Sequence, residues 1–551
     1  MKKKLTISIL GMGLFLTSCL SQLEEDVRTQ VTDSYLSTSA GFNEAVNASY
    51  ASLKTNFCAI EDNGILPVLN VFGTDVFTNG FDGGYKMMNF YNSDLNPRTP
   101  VVERVWNNLY IAINTCNAVI TRAAQVTGLT DAVKNTRVAE VRFIRAEYYF
   151  MLVQLWGPVH LTLEETTGVE TTAARAPVKD IYEAIIKDLD FAVQNLPATA
   201  AQYGRVTKPA AENLLASVYL ARATSEAKQA GDYAKAVELA KGVISKYTFK
   251  LVDDFGKIFE QGANEKNSEV IWAIQNNKDV ISNGPGNTMH LYFVMKYDDL
   301  VGMQRDIANG RPYARYKPTE FTLNTLFNRQ LDSRYDKSFK RVFYCNKPGT
   351  YTINGKSVNM AAGDTALYIT DREWSAAEIS QAKYTVWTPS RQNERVFPTL
   401  TKFLDPQRAG VNDQPGSRDL LFFRLAETYL IAAEALMMSG NSAEAATLVN
   451  TVRRRAAKTG TTAAETEANR KAMEVIANQL NIDFILDERA RELLGEGTRW
   501  IDLARTGKLV ERVKKYNPVA AANIKDFHVL RPIPQQQIDR TEGEFKQNPG
   551  Y

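Results

Sequence analysis

Between Phe42 and Tyr247 apolar residues recur at three- and four-residue steps with short polar breaks, the spacing of one face of an α-helix. In NNLYIAINTCNAVITRA (Asn107 to Ala123), Leu109, Ile113, Cys116 and Ile120 fall on one face and predict a helix. In VAEVRFIRAEYYFMLVQLWG, Val141, Ile144, Tyr148, Leu152 and Leu155 do the same, and Gly157-Pro158 ends the run, since proline cannot continue a helix. DIYEAIIKDLDFAVQNLP and KPAAENLLASVYLARATSEA, separated by a turn at Gly204, and then DYAKAVELAKGVISKY, with Asp232 placed as its N-cap, complete a helical front half.

Two distant stretches share one pattern. NLLASVYLARATSEAKQAGDYAKAVELAKGVI and RLAETYLIAAEALMMSGNSAEAATLVNTVRRRA each contain an Ala-faced helix with a central Tyr, a Gly-polar turn and a second Ala-rich helix. The pattern resembles the tetratricopeptide hairpin, in which small residues let paired helices stack closely; two unrelated amphipathic pairs are the alternative. From Phe255 to Arg418 the texture changes to Gly, Pro, Asn and Tyr, with predicted strands in NSEVIWAIQ, RVFYC and TALYIT. From Asp419 the pattern is helical again, before the extended VLRPIPQQQI and KQNPGY. The expected fold is therefore mainly α: a tetratricopeptide-like helical repeat scaffold with a loop-rich, partly β insertion. Its divisions are a leader at 1–18, a tether at 19–40, a helical domain at 41–254, a loop-rich ligand-facing region at 255–418 and a helical segment at 419–551 that packs on the repeats.

The first eighteen residues read differently. Lys2, Lys3 and Lys4 precede an apolar run from Leu5 to Leu16, which is short for a bilayer-spanning helix and has the layout of a secretory signal. Its Leu-Thr-Ser-Cys ending resembles a bacterial lipobox, which implies cleavage before Cys19 and acylation of that residue. Acyl chains contribute about 0.8 kcal/mol per buried CH₂, and stable anchoring takes more than one chain. Without the three lysines the 65 basic residues fall to 62 against 62 acidic ones, so no charge excess favours nucleic acid. Cys58, Cys116 and Cys345, like His160, His290 and His528, are too scattered for a disulfide framework or a metal motif, and no metal or other cofactor is expected.

LLFFRLAETYLIAAEAL, ILDERARELLGEGTRWIDLARTGKL, RPIPQQQID and QNPGY stand in the order and spacing of the SusD/RagB family of outer-membrane nutrient-binding lipoproteins of Bacteroidota. VWNNLYIAINTCNAVI, RFIRAEYYFMLVQLWGPVHL and GRVTKPAAENLLASVYLARA resemble its N-terminal helices. The resemblance covers nearly all of the chain after Cys19 and is weakest from Asn276 to Arg395. It implies a cell-surface binder rather than an enzyme, a SusC-like TonB-dependent transporter as partner, and a polysaccharide or oligosaccharide as ligand. A peptide or glycoprotein glycan is the ligand in some members. The helical repeats would face the transporter and the loops the ligand.

Sugar faces are bound by exposed aromatic rings with amide or charged groups beside them. GTDVFTNGFDGGYKMMNFYN has that composition, with Asp75, Phe81, Tyr85, Phe90, Tyr91 and Asn92 as candidates. A second set is Tyr292 and Tyr297 followed by Arg311, Tyr313 and Tyr316, and a third is Trp374 and Trp387. Trp106, Trp156, Trp272 and Trp500 fall in framework motifs and are expected in the core. In LDERARELLGEGTRW, Asp487 and Glu488 are read as structural partners of Arg491 at four- and three-residue spacing rather than as catalytic acids. A glycosidase would need two facing carboxylates, and no motif supplies them; a ligand-free interaction scaffold is the remaining rival. The acids Glu24, Glu25 and Asp26 resemble a signal for display on the cell exterior. Protease shaving of intact cells tests this: replacing all three by alanine is expected to protect the protein, and undiminished cleavage would reduce them to a solvated linker.

Overall fold

The computed structural model describes residues 33–58 and 66–551; the leader, Cys19, Glu24, Glu25 and Asp26 lie outside the described residues. Helix α1 (Ser39–Leu53) packs on α2 (Pro100–Arg122), and α2 on α3 (Asp131–Trp156). Then α4 (Val178–Asn195), α5 (Lys208–Ala223) and α6 (Asp232–Lys246) follow, each against its predecessor. Thr130 caps α3 by accepting from the Val133 amide, and the helix ends at Gly157, whose φ of +71° is cheap only for glycine. Asp232 is not the N-cap of α6. Gly231 holds that position at φ +91°, while the Asp232 carboxylate takes Arg222 at 2.5 Å and the Gln229 amide at 2.8 Å, pinning the α5–α6 turn.

The chain leaves this stack after Lys246 and rejoins it at α7 (Leu425–Met438) and α8 (Ser442–Ala456), where α7 lies directly against α6. The two similar hairpins are thus neighbours. Ala236 and Ala240 of α6, Ala432 and Ala435 of α7, and Ala216 of α5 meet in one buried cluster, where short side chains let the helix backbones approach. The LLFFR stretch before α7, expected as helix, is the strand Leu420–Arg424. It pairs antiparallel with Val270–Ile274, setting Leu420 opposite Ile274, and its β-branched and aromatic partners favour the extended form.

The loop-rich region carries its own small core of Val294, Tyr297, Phe343, Leu367, Ile369 and Phe397, among other buried residues. Over it lies a three-stranded sheet with Thr365–Ile369 in the centre, antiparallel to Val342–Tyr344 and parallel to Thr385–Trp387. The predicted strands in NSEVIWAIQ, RVFYC and TALYIT are all present. The closing segment lies on the helical body: Trp156 Nε1 donates to the Pro532 carbonyl at 2.9 Å, and Asn548 Nδ2 to those of Trp156 at 3.0 Å and Arg531 at 2.8 Å. Its middle is not extended, because Gln535–Arg540 forms a short helix after Pro534. Trp106, Trp156, Trp272 and Trp500 are all buried.

Helix α9 (Ile482–Glu492) carries the charges read as structural, and α10 (Arg499–Arg505) and α11 (Leu509–Tyr516) follow it. Glu488 meets Arg491 at 2.9 Å as expected, whereas Asp487 pairs with Arg512 instead. The face is buried rather than solvated. Glu488 also takes Arg334 at 2.8 Å and Arg453 at 2.7 Å; Glu492 takes Arg334 at 3.0 Å, Arg424 at 3.1 Å and Arg455 at 2.5 Å. Burial alone would raise both carboxyls, but the surrounding arginines outweigh it and hold them well below the usual carboxylate range.

Removing one member of such a set strands the others in low dielectric, so Glu492→Ala is expected to lower the unfolding free energy by roughly 3–5 kcal/mol in denaturant titration. The depressed carboxyls contribute stability that is complete above the unfolded Glu value of about 4.3 and is lost as pH falls through their folded values. The melting temperature should therefore drop progressively below about pH 4.3, and less steeply in the Glu492→Ala protein.

Candidate glycan-binding surface

The 73–92 stretch is held from beneath by charge. Asp75 is fully buried, and its carboxylate takes Arg499 at 2.8 and 2.5 Å and Arg512 at 2.7 Å. Burial would raise this carboxyl, but the two guanidinium groups hold it below its ordinary value. Asn517 Nδ2 donates to the carbonyls of Thr74 at 2.8 Å and Phe77 at 3.3 Å. The chain then enters the strand Phe77–Asn79, antiparallel to Tyr316–Pro318 with Asn79 opposite Tyr316. Beyond the pair, the Gly80 amide donates to the Arg315 carbonyl at 2.9 Å; a Cβ at Gly80 would sit 1.9 Å from the Ala314 carbonyl oxygen, so only glycine fits. The Phe81 amide donates to the Glu394 carbonyl at 2.8 Å. Segments around 81, 313 and 395 thereby converge.

Where they meet, rings and charges share one surface. Phe81 is 46% exposed, with the Arg395 guanidinium 4.2 Å over its ring. Tyr85 and Tyr313 are half-buried; Arg311 lies 5.1 Å over the Tyr313 ring, and Arg315 reaches both rings, at 6.0 and 5.5 Å. Lys86 donates to the Phe81 carbonyl at 3.3 Å and stands 3.7 Å from Glu394. Asp82 is exposed, and a Cβ at Gly84 would meet open space. Tyr85 and Tyr91 both have positive φ, 69° and 51°, on either side of the short helix Met87–Phe90, so the loop has a specific and costly shape.

Several expected contacts prove to be packing residues. Asp75 is an ion-pair anchor with no surface. Tyr91 is buried, its hydroxyl donating to the Gly73 carbonyl at 2.6 Å and accepting from Trp500 Nε1 at 3.1 Å. Tyr316 is wedged between Phe72 at 4.5 Å and Phe293 at 5.0 Å. Tyr292, also buried, donates to Thr288 Oγ1 at 3.2 Å, and Tyr297 belongs to the small core. Phe90 is half-buried, its carbonyl accepting from Asn523 at 3.0 Å, and Asn92 forms a local turn with Asp94. Trp374 packs 5.9 Å from Tyr368 and Trp387 lies under Arg391 at 5.5 Å, both in the small β subdomain and without a ring contact to Phe81, Tyr85 or Tyr313. Of the expected residues, the fold therefore brings together Phe81, Tyr85, Arg311 and Tyr313. Arg395 and Glu394 were not anticipated; they enter through a backbone hydrogen bond to Phe81 and an ion pair to Lys86, between distant segments, which leave no trace in local sequence.

The chain matches two family models. One, described as the SusD family, covers residues 255–551, and one described as "Starch-binding associating with outer membrane" covers residues 30–220. SusD-like protein P2 of Formosa agariphila is 27% identical over the whole of both chains, and the starch-binding protein SusD of Bacteroides thetaiotaomicron is 25% identical over 78% of this chain and 75% of its own. Among solved structures, a laminarin-binding SusD-like protein superposes with a TM-score of 0.69 at 21% identity, covering 93% of this chain and 100% of the other. B. fragilis NanU does so with 0.70 at 22%, covering 94% and 98%. The mainly α scaffold with its small sheets is accordingly a SusD-like fold, and the chain belongs to the SusD family.

Proposed function

We propose that this protein is a cell-surface glycan-capture lipoprotein, anchored in the outer membrane through Cys19, that delivers an oligosaccharide or polysaccharide to a SusC-like TonB-dependent transporter. The observation that carries the reading is the convergence of Phe81, Tyr85 and Tyr313 with Arg311 and Arg395 on one face. A pyranose presents an apolar C–H face ringed by hydroxyls. An exposed ring takes that face, and flanking guanidinium groups donate to the hydroxyl and ring oxygens. The loop's fixed shape supports binding because little conformational freedom remains to be lost when the sugar docks. The names of the relatives, starch-binding and laminarin-binding among them, agree in ligand class. Each acyl chain on Cys19 would add to membrane affinity, leaving the folded body at the surface without a spanning helix; among the described residues no helix is long and apolar enough to cross a membrane.

Affinity gels cast with starch or laminarin test the assignment. Phe81→Ala and Tyr313→Ala are each expected to weaken retention about tenfold, near 1.4 kcal/mol, with the melting temperature unchanged in Phe81→Ala. Tyr91→Ala should instead lower the melting temperature, because it empties a buried ring position. Retention that survives the Phe81→Ala, Tyr313→Ala double variant would overturn this surface as the glycan site. Absence of retention on every glycan, alongside co-purification with a transporter barrel, would favour a scaffold role.

A further inference from the structure

The segment that carries Phe81 and Tyr85 ends at Tyr91, which stands in the left-handed region at φ +51°. A bulky residue keeps that conformation only where its surroundings hold it. Hydrogen bonds carry the position of Tyr91 back along the loop. Its amide donates to the Met87 carbonyl at 3.0 Å, the Met88 amide to that of Tyr85 at 2.9 Å, and Lys86 Nζ to that of Phe81 at 3.3 Å. Whatever fixes Tyr91 therefore constrains the course of residues 81–91.

One hold acts on the hydroxyl, which donates to the Gly73 carbonyl and accepts from Trp500 Nε1. A second comes from the closing segment. Asn523 Nδ2 donates to the Phe90 carbonyl at 3.0 Å, and the His528 ring lies 4.9 Å from that of Tyr91. His528 is itself fixed on two sides. The Lys525 amide donates to its Nδ1 at 2.9 Å, which requires the neutral ring, and burial with Arg531 and Lys525 nearby pushes its pKa down to about 4. Tyr551 of the QNPGY motif closes the other side. Its ring is 5.0 Å from Phe527 and 5.9 Å from His528, and its hydroxyl donates to the Leu530 carbonyl at 2.9 Å. Gly550 permits this approach, since a Cβ there would lie 2.3 Å from Phe527 Cγ. Asn548 in turn ties the motif to the carbonyls of Trp156 and Arg531.

The geometry points to His528 and Tyr551 as positioning residues for the glycan surface: they hold Tyr91 in its left-handed conformation and so keep the segment of Phe81 and Tyr85 in one shape. The consequence for binding rests on the glycan reading above; the hold on the loop does not. Neither residue needs to touch the sugar. Without the Tyr551 ring, His528 loses a wall and can shift away from Tyr91, and Tyr91 relaxes toward negative φ. The freed loop then has more conformational entropy to lose when a glycan docks, which weakens binding.

Hydrogen exchange of the full-length protein without ligand tests the hold directly. In Tyr551→Ala and in His528→Ala the amides of residues 80–91 are expected to exchange about tenfold faster, while those of residues 365–369 in the small β subdomain keep their native rate. Tyr551→Phe keeps the ring and loses the hydroxyl bond to Leu530, and should show native exchange. Retention on a glycan gel that binds the native protein should fall in both alanine variants and recover in Tyr551→Phe. Unchanged exchange at 80–91 in both alanine variants, or an equal rise at 365–369, would overturn the proposal, as would undiminished retention beside a loosened loop. A native protein that no gel retains would instead sink the glycan reading, and the exchange rates would still decide whether the closing segment holds the loop. Should His528→Ala fail to fold, Tyr551→Ala and Tyr551→Phe carry the comparison.

Discussion

Glu492 sits out of contact with water between Arg334, Arg424 and Arg455, and those three arginines come from three different parts of the chain. Arg334 belongs to the loop-rich region, Arg424 ends the strand that pairs with Val270–Ile274, and Arg455 closes helix α8. One carboxylate thus fixes how the loop-rich region, the central strand pair and the second hairpin meet. The network extends through Glu488, Glu269, Glu496 and Lys402, so each buried charge has a counter-charge at hydrogen-bond distance. Such a set adds little net stability over an apolar core, but it permits only one arrangement of its members, since any slip would strand a charge in low dielectric.

The candidate glycan surface depends on the same kind of constraint one step removed. Asp75 spends its whole carboxylate on Arg499 and Arg512, so the root of the 73–92 loop is fixed to α10 and α11. The strand pair with Tyr316–Pro318 transmits that position to Tyr313, and the Phe81 amide carries it to the segment of Arg395. The exposed rings are in this way positioned by charges buried beneath them. Tyr91 and Tyr316, although aromatic and in the same segments, are consumed in building that support.

Not every buried carboxyl belongs to such a network. Around Glu492 and at Asp75 the carboxylates are matched, and the arginines beside them hold their protons off. Glu147 is the reverse case, a carboxyl raised by burial with no cation to answer it.

Period and punctuation in the sequence were enough for the helices from Pro100 to Lys246, for the stop at Gly157-Pro158, for the resemblance of the two Ala-rich hairpins, and for four framework tryptophans in the core. These follow from local rules, in which a 3.6-residue period or a glycine at positive φ depends only on nearby residues. The sequence alone also carried the lipobox-like leader and the family motifs. It did not tell that LLFFR is a strand, that Asp487 belongs to Arg512, or that α6 lies against α7. It likewise did not tell which loop aromatics face water: Phe81 and Tyr313 do, whereas Tyr91, Tyr292 and Tyr316 do not. Those outcomes were decided by the tertiary structure, because a loop ring has no period to report its direction, and its burial is set by segments far away in the chain that close over it.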